Sequence, residues 1–227
     1  MPSPAVYKSP RGLATASTVL LGLSGIAALV SAAADAVERS ALSADEGTQG
    51  PEVLVLLSSA LQTLLLLGTA AVFVSWLYRA RVNAEVIRPY GDLSARGWSI
   101  GAWFVPIGFL FLPWQVVRKV WRASVPTGED GTPQPAPEVL VHSWWIAFAA
   151  GRVLSLISNR TQVAEGSVGY HDSQLQSLTV LIVANLSLTV AAVLAILVVR
   201  RLTAMQQAHA EAAHARAAAY WAQAQAV

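Results

Sequence analysis

Apolar residues in this chain fall into four long runs separated by short polar stretches. The first, second and fourth runs are long enough to span a hydrocarbon core of about 30 Å as helices. The third run is shorter and carries Arg152. Arginines stand near the ends of the runs, which is typical of the flanks of membrane spans. The pattern therefore predicts an all-α integral membrane protein with transmembrane helices over about 13–37, 53–77, 140–158 and 176–199.

The first run is preceded by Lys8 and Arg11 and could be read as a secretory signal peptide. Its apolar stretch covers about 22 residues, and the apolar part of a signal peptide has roughly 7–15. We therefore interpret it as a span that stays in the protein.

Residues 97–113 are apolar but interrupted by Pro106, Gly108 and Pro113. They can form a fifth crossing, or a re-entrant hairpin that enters and leaves on one side. With four spans and a cytoplasmic N-terminus, twelve of the Lys and Arg residues outside the spans lie inside and two outside, whereas five spans give seven against seven. The positive-inside rule favours four spans plus a re-entrant hairpin, in the plasma membrane, with both termini cytoplasmic.

The hairpin is followed by an amphipathic pattern and, much later, by an Ala/Gln-rich tail. Residues 114–123 are predicted to form a short amphipathic helix at the cytoplasmic interface. Gly97 and Gly101 form a GxxxG pattern, which predicts close packing against another helix. The membrane domain is placed at 1–203 and a cytoplasmic helix at 204–227. The hairpin residues expected at the interface are Trp98, Trp103, Pro106, Pro113, Trp114 and Trp121.

Composition agrees with this class. The chain is 55% hydrophobic and 12% charged, while soluble domains have about 25% charged residues. The net charge of +2 and the lack of a basic tract with interleaved aromatics argue against a nucleic-acid partner. The absence of cysteine excludes disulfides, thiolate metal sites and cysteine-based catalysis.

Basic side chains collect on the predicted cytoplasmic side, and one lies inside a span. The former predict a basic collar that attracts anionic lipid or an acidic partner. Arg152, the basic residue inside a span, should face the bundle interior and contact a partner, for which Asp35 and Glu52 are candidates. Arg152 could form a purely structural ion pair or a ligand site, and the sequence leaves both open. The collar residues are Arg79, Arg81, Arg88, Arg96, Arg118, Lys119 and Arg122.

Candidate catalytic chemistry is sparse. Ser99 lies in a GxSxG pattern without a preceding strand, and Ser24 lies in a GLSG pattern without a histidine in another span. His209 and His214 are predicted to be solvated, and no histidine shows metal-ligand spacing. We expect no catalytic residue, no metal and no cofactor.

The runs WLYRARVNAE, RGWSIGAWFVPIGFLFLPWQVVRKVWRAS and HSWWIAFAAGRVLS carry a family resemblance. Over about 70–199 the chain resembles the DUF4328 family of actinobacterial membrane proteins. The resemblance implies a multi-spanning plasma-membrane protein and supplies no catalytic residues, because the family has no known function.

These features favour a non-catalytic membrane protein that binds partner proteins or membrane lipids and self-associates. The Trp-rich hairpin and the Ala-rich tail support this interpretation, since aromatic and arginine side chains anchor interfaces. The alternative is a transporter or channel subunit that uses Arg152 and the hairpin. A serine-type intramembrane enzyme is a second alternative.

Overall fold

The structure is a computed structural model that describes residues 6–44, 52–128, 132, 134–161 and 166–225, and of residues 52–59 and 161 the backbone alone. Every regular element in those ranges is helical, as predicted. A single 3-10 turn, Gly108–Leu110, lies between the third and fourth helices. The helices are α1 (Arg11–Ser43), α2 (Glu52–Ile87), α3 (Trp98–Gly101), α4 (Leu112–Ser124), α5 (Val139–Thr161) and α6 (Tyr170–Ala224).

Four helices in the described part of the chain are long and apolar enough to cross a membrane, which confirms the prediction of four spans. They extend beyond the apolar runs. α2 continues to Ile87, two residues before Pro89, and α6 runs without a break into the Ala-rich tail. The stretches that qualify are Arg11–Ser43, Ala60–Ile87, Val139–Arg160 and Tyr170–Ala224.

The proline-interrupted segment between α2 and α5 contains only short helices. Ile107 adopts φ 62°, a conformation that non-glycine residues rarely take. A Cβ at Gly108 would lie 2.8 Å from side-chain atoms of Val105 and Leu112, so a larger residue here would force those side chains to shift. A helix interrupted here is too short for a fifth crossing, and the entry of this hairpin into the bilayer stays a prediction.

The chain divides into two compact units, and each of the four long helices contributes residues to both. The first unit comprises Met1–Thr18, Ala71–Val141 and Leu197–Val227, and the second comprises Val19–Ala70 and His142–Ile196. The hairpin and α4 therefore belong to the first unit, and most of the apolar span sequence belongs to the second.

Short polar side chains link the helices of the second unit. Ser158 Oγ of α5 lies 2.7 Å from Ser177 Oγ of α6, and both residues are buried. Asn185 of α6 donates from Nδ2 to Asp35 Oδ2 of α1 over 2.9 Å. Interhelical bonds of this kind contribute about 0.6 kcal/mol each in membrane proteins, so they mainly fix which helix faces meet.

Glycines also allow close helix contacts in the second unit. A Cβ at Gly151 would lie 2.7 Å from Leu188 Cγ, and one at Gly25 would lie 3.0 Å from an alanine Cβ of α6. A Cβ at Gly97 or Gly101 would meet no atom within 4 Å. The GxxxG packing predicted for these two residues is therefore wrong, because α3 is a single turn with the glycines at its ends.

Candidate functional site

Helix α4 places its apolar side inside the first unit. Val117, Val120 and Trp121 are fully buried, and Pro113 lies in the first turn, where a proline is tolerated. Trp114, at the start of the helix, is half-buried, and the Arg118 guanidinium carbon lies 5.2 Å from its ring centroid. The helix is amphipathic, but protein rather than lipid covers its apolar side.

The other hairpin residues divide between a packed and an exposed side. Trp103 is half-buried and meets the Phe73 ring edge-on, with centroids 6.0 Å apart. Trp98 is 43% exposed and Pro106 is also exposed. Exposed apolar side chains in the hairpin also include Phe104, Ile107 and Phe111.

A buried polar cluster joins four segments of the first unit. Gln206 of α6 donates from Nε2 to Ala80 O at 2.8 Å and to Ser124 Oγ at 3.0 Å. Its Oε1 accepts from Asn83 Nδ2 at 3.2 Å. Asn83 in turn binds both backbone groups of Lys8, accepting from N at 3.1 Å and donating to O at 2.9 Å. Both amide side chains are fully buried and satisfied, which specifies a single arrangement of these segments.

Most of the predicted basic collar is paired with carboxylates of its own unit, so it is not an open basic surface. Of the seven collar residues, Arg79 and Arg88 pair with no carboxylate among the described residues, and Arg88 donates to Val125 O at 3.3 Å. The observed pairs are Arg81 and Arg96 with Glu85, Arg118 and Arg122 with Glu138, and Lys119 with Asp92.

Glu138 is the carboxylate that holds α4 to the start of α5. Arg118 Nε lies 2.8 Å from Glu138 Oε2, and Arg122 Nε donates to Oε1. Burial raises the pKa of Glu138, but the hydrogen bond and charge of Arg122, followed by those of Arg118, lower it by more. The pKa of Glu138 therefore lies below the ordinary glutamate value, and the carboxylate is ionised at neutral pH.

Arg152 does not contact Asp35, one of its two predicted partners. It is half-buried in α5, and it makes no hydrogen bond or ion pair with any residue the structure describes. The Asp35 carboxylate accepts from Asn185 instead. Glu52 begins α2, and its side chain lies outside the described residues.

The two serine motifs lie in different surroundings. Ser99 is fully buried in α3, and its Oγ has no hydrogen-bond partner among the described residues. Ser24 Oγ lies 2.8 Å from Thr69 Oγ1. Within the same residues neither hydroxyl contacts a histidine or a carboxylate, which a serine nucleophile would need as a base.

Histidines and acids do not converge on a metal position. In the ranges that the structure covers, no three His, Cys, Asp or Glu side chains lie close enough to hold one ion. His214 is exposed as predicted, whereas His209 is half-buried and its Nε2 lies 3.2 Å from Val125 O.

The end of α6 leaves the packed part of the first unit. Every residue from Glu211 to Gln225 is exposed. Tyr220 and Trp221 contact each other edge-on with centroids 5.6 Å apart, and they are 66% and 64% exposed. The Glu211 carboxylate lies 3.3 Å from Arg11 Nη2 in an exposed pair. This helical end therefore presents its full circumference to solvent.

Sequence reasoning missed two features of the first unit. In the sequence Gln206 resembles any other residue of an Ala/Gln-rich helix, but its place directly after Leu202, Thr203 and Met205, at the end of a span, is a signal that could have indicated burial. In the sequence Arg200 and Arg201 resemble the charges that flank any span, whereas in the structure they line a groove with Leu197.

Comparison with known proteins identifies a family. The profile described as "Domain of unknown function (DUF4328)" matches residues 39–204. That range contains α2 to α5 and most of the apolar part of α6, together with the hairpin. No curated protein and no solved structure matches the chain. Because the match covers well over half of the sequence, the chain belongs to the DUF4328 family.

Proposed function

We propose that this protein is a non-catalytic membrane scaffold that self-associates through the exposed end of α6. The observation that carries the proposal is a seam of exposed alanines. They alternate at spacings of four and three residues, which is the spacing of the a and d positions in a coiled coil. The seam consists of Ala208, Ala212, Ala215, Ala219 and Ala222.

The occupant of this seam is a second copy of the chain. Copies inserted in one membrane in the same orientation extend their α6 ends on the same side, so the two helices are parallel. In that register Glu211 takes a g position and Arg216 the e position five residues later, where opposite charges pair between parallel helices. Glu211 is available, because its pair with Arg11 is exposed and such pairs are weak.

The seam is weak by itself. Five alanine methyl groups per helix, ten in the pair, contribute about 8 kcal/mol at about 0.8 kcal/mol each. The association of two free bodies costs about 4–15 kcal/mol. Confinement to one membrane raises the effective concentration of the partner and lowers that cost, so the full chain is required for pairing.

Cysteine cross-linking in native membranes tests the proposal, because the chain has no cysteine of its own. Ala215→Cys, at a d position of the seam, should give a disulfide-linked dimer on mild oxidation. Ala217→Cys, two residues away on the outer face, is the matched control and should stay monomeric. Equal cross-linking at both positions, or none at Ala215→Cys, contradicts the parallel pair.

Charge reversal gives an independent measurement. Arg216→Glu should reduce the cross-linking of Ala215→Cys, because it sets like charges across the seam. Adding Glu211→Arg should restore it. A double reversal that stays as weak as the single one would exclude the proposed register.

The pair leaves Tyr220 and Trp221 on its outer side. Large aromatic side chains are common anchors of protein interfaces, so these two form the surface on which a partner protein would bind. The scaffold would thus combine self-association with partner binding.

We place the protein in the plasma membrane with both termini in the cytoplasm. The support is the excess of Lys and Arg on that side in a four-span arrangement. Reporters fused at Ser124 and at the C-terminus should both give cytoplasmic signals. An extracytoplasmic signal from either would overturn the orientation.

A transporter or channel subunit stays the alternative. Arg152 favours it, because a half-buried arginine without a partner in the described chain is a feature of substrate paths in membranes. Anion flux into liposomes that is lost on Arg152→Gln would support this function over the scaffold.

A further inference from the structure

A shallow groove of about 510 Å³ lies in the first unit where α6 passes the start of α5. Its walls combine three apolar side chains with two arginines. The residues that line it are Leu140, Leu197, Arg200, Arg201 and Ala204.

The two arginines carry charge that no carboxylate in the described chain neutralises. Arg200 and Arg201 are both exposed, and neither has an ion pair with a residue that the structure describes. Arg201 is held from one side, where its guanidinium carbon lies 5.9 Å from the Trp121 ring centroid. Glu138, two residues before Leu140, is already bound by two other arginines.

The other described carboxylates of this unit are also occupied. Each of them contacts a basic residue other than Arg200 and Arg201. They are Glu85 with Arg81 and Arg96, Asp92 with Lys119, and Glu211 with Arg11. The groove therefore carries positive charge, and the described carboxylates of the unit are all paired with other basic residues.

The groove also lies at the right depth for a lipid headgroup. Arg200 and Arg201 are the first charged residues after the apolar run of α6, so their side chains stand where hydrocarbon gives way to headgroups. Leu197, one turn before Arg201 and 46% exposed, lies on the hydrocarbon side of them. A ligand that fits both parts has an anionic head and an apolar tail.

We propose that this groove binds an anionic phospholipid, with its phosphate between Arg200 and Arg201 and an acyl chain along Leu140 and Leu197. Guanidinium groups suit this role because their planar donors bind phosphate oxygens in pairs. The site is independent of the helix pair proposed above, since Arg216 and the alanine seam do not line it.

Native mass spectrometry of the delipidated full-length protein in mild detergent tests the site. The protein is titrated with phosphatidylglycerol or with phosphatidylcholine of the same acyl chains. The test variant is Arg200→Gln/Arg201→Gln. Arg216→Gln, on the same helix and exposed, is the matched control, and it also removes a charge of the proposed helix pair.

We expect the wild-type protein to bind phosphatidylglycerol more tightly than phosphatidylcholine. The double variant should bind phosphatidylglycerol about 30-fold more weakly, since a basic residue near anionic lipid contributes about 1 kcal/mol and 1.4 kcal/mol is tenfold. Arg216→Gln should bind it as the wild type does, even if its self-association is lost. The two proposals can therefore fail separately.

Three results would overturn the lipid site. They are equal binding of both lipids to the wild type, unchanged phosphatidylglycerol binding by the double variant, and full displacement of the lipid by millimolar inorganic phosphate. The last would identify a soluble anion as the ligand. If the double variant does not fold, Arg200→Gln and Arg201→Gln alone should each weaken binding about fivefold, and no change in both would exclude the site.

Discussion

Replacing Gln206 by leucine removes the amide that joins α2, α4 and α6 in the first unit. Leucine is close to glutamine in size, so the substitution deletes hydrogen bonds with little change of volume. Three bonds are lost, those to Ala80 O, to Ser124 Oγ and from Asn83 Nδ2. The site is fully buried, so water cannot replace them.

The expected loss follows from these bonds. A typical intramolecular hydrogen bond contributes about 0.5–1.5 kcal/mol, so three give about 2–4 kcal/mol. The partners limit the loss, because Asn83 keeps its bond to Lys8 O and Ser124 keeps its bond to Val120 O. At about 2–4 °C per kcal/mol for a chain of this size, the thermal midpoint in detergent should fall by about 4–16 °C.

Gln207→Leu is the matched control. Gln207 is the next residue along α6, is half-buried and makes no hydrogen bond within the described part of the chain. This substitution should change the free energy of unfolding by less than about 0.5 kcal/mol. Equal midpoints for Gln206→Leu and Gln207→Leu would refute the structural role of the cluster.

Three further measurements test the structure outside this cluster. Gly151→Ala should lower the thermal midpoint, because the new Cβ would lie 2.7 Å from a leucine of α6, whereas Gly97→Ala should leave it unchanged or slightly raised; the opposite order would contradict the helix contacts. Glu138→Gln should be less stable than the wild type at pH 7. Since the pKa of Glu138 is lowered by folding, the difference is complete above the ordinary glutamate pKa of about 4.3 and shrinks as the pH falls below it; a difference that stays constant as the pH falls below that value would exclude the ion pairs as its source. Asp35→Ala and Asn185→Ala should cost less together than the sum of their single losses, since they share one hydrogen bond, and strict additivity in unfolding titrations would count against that bond.

The ion pairs of the first unit show what the sequence could not indicate about the basic collar. The sequence places Arg118 and Arg122 four residues apart on one helix, and their common partner Glu138 lies beyond a Pro/Gly-rich loop. Glu138 is 20 residues from Arg118 and 16 from Arg122, a separation at which the sequence alone does not specify contact. The sequence shows where the basic residues lie, but it does not show whether a carboxylate pairs with them.

The contacts of the glycines and of the buried amides also depend on residues that are distant in sequence. Gly151 and Gly97 each stand in an apolar stretch, and only the neighbouring helix distinguishes a tight contact from open space. Asn83 and Gln206 are 123 residues apart, and each would be an ordinary polar residue at the end of a span if considered alone.

The sequence by itself determined that this is an all-helical membrane protein with four spans and a proline-interrupted segment between the second and the third. These features depend on neighbouring residues only. A backbone in lipid must satisfy its hydrogen bonds within each apolar run, and a proline in the interior of a helix interrupts it. The tertiary structure alone decided which arginines pair with carboxylates, which glycines lie close to a neighbouring helix and which amides are buried. Those properties depend on side chains that are distant in sequence and meet only when the helices pack.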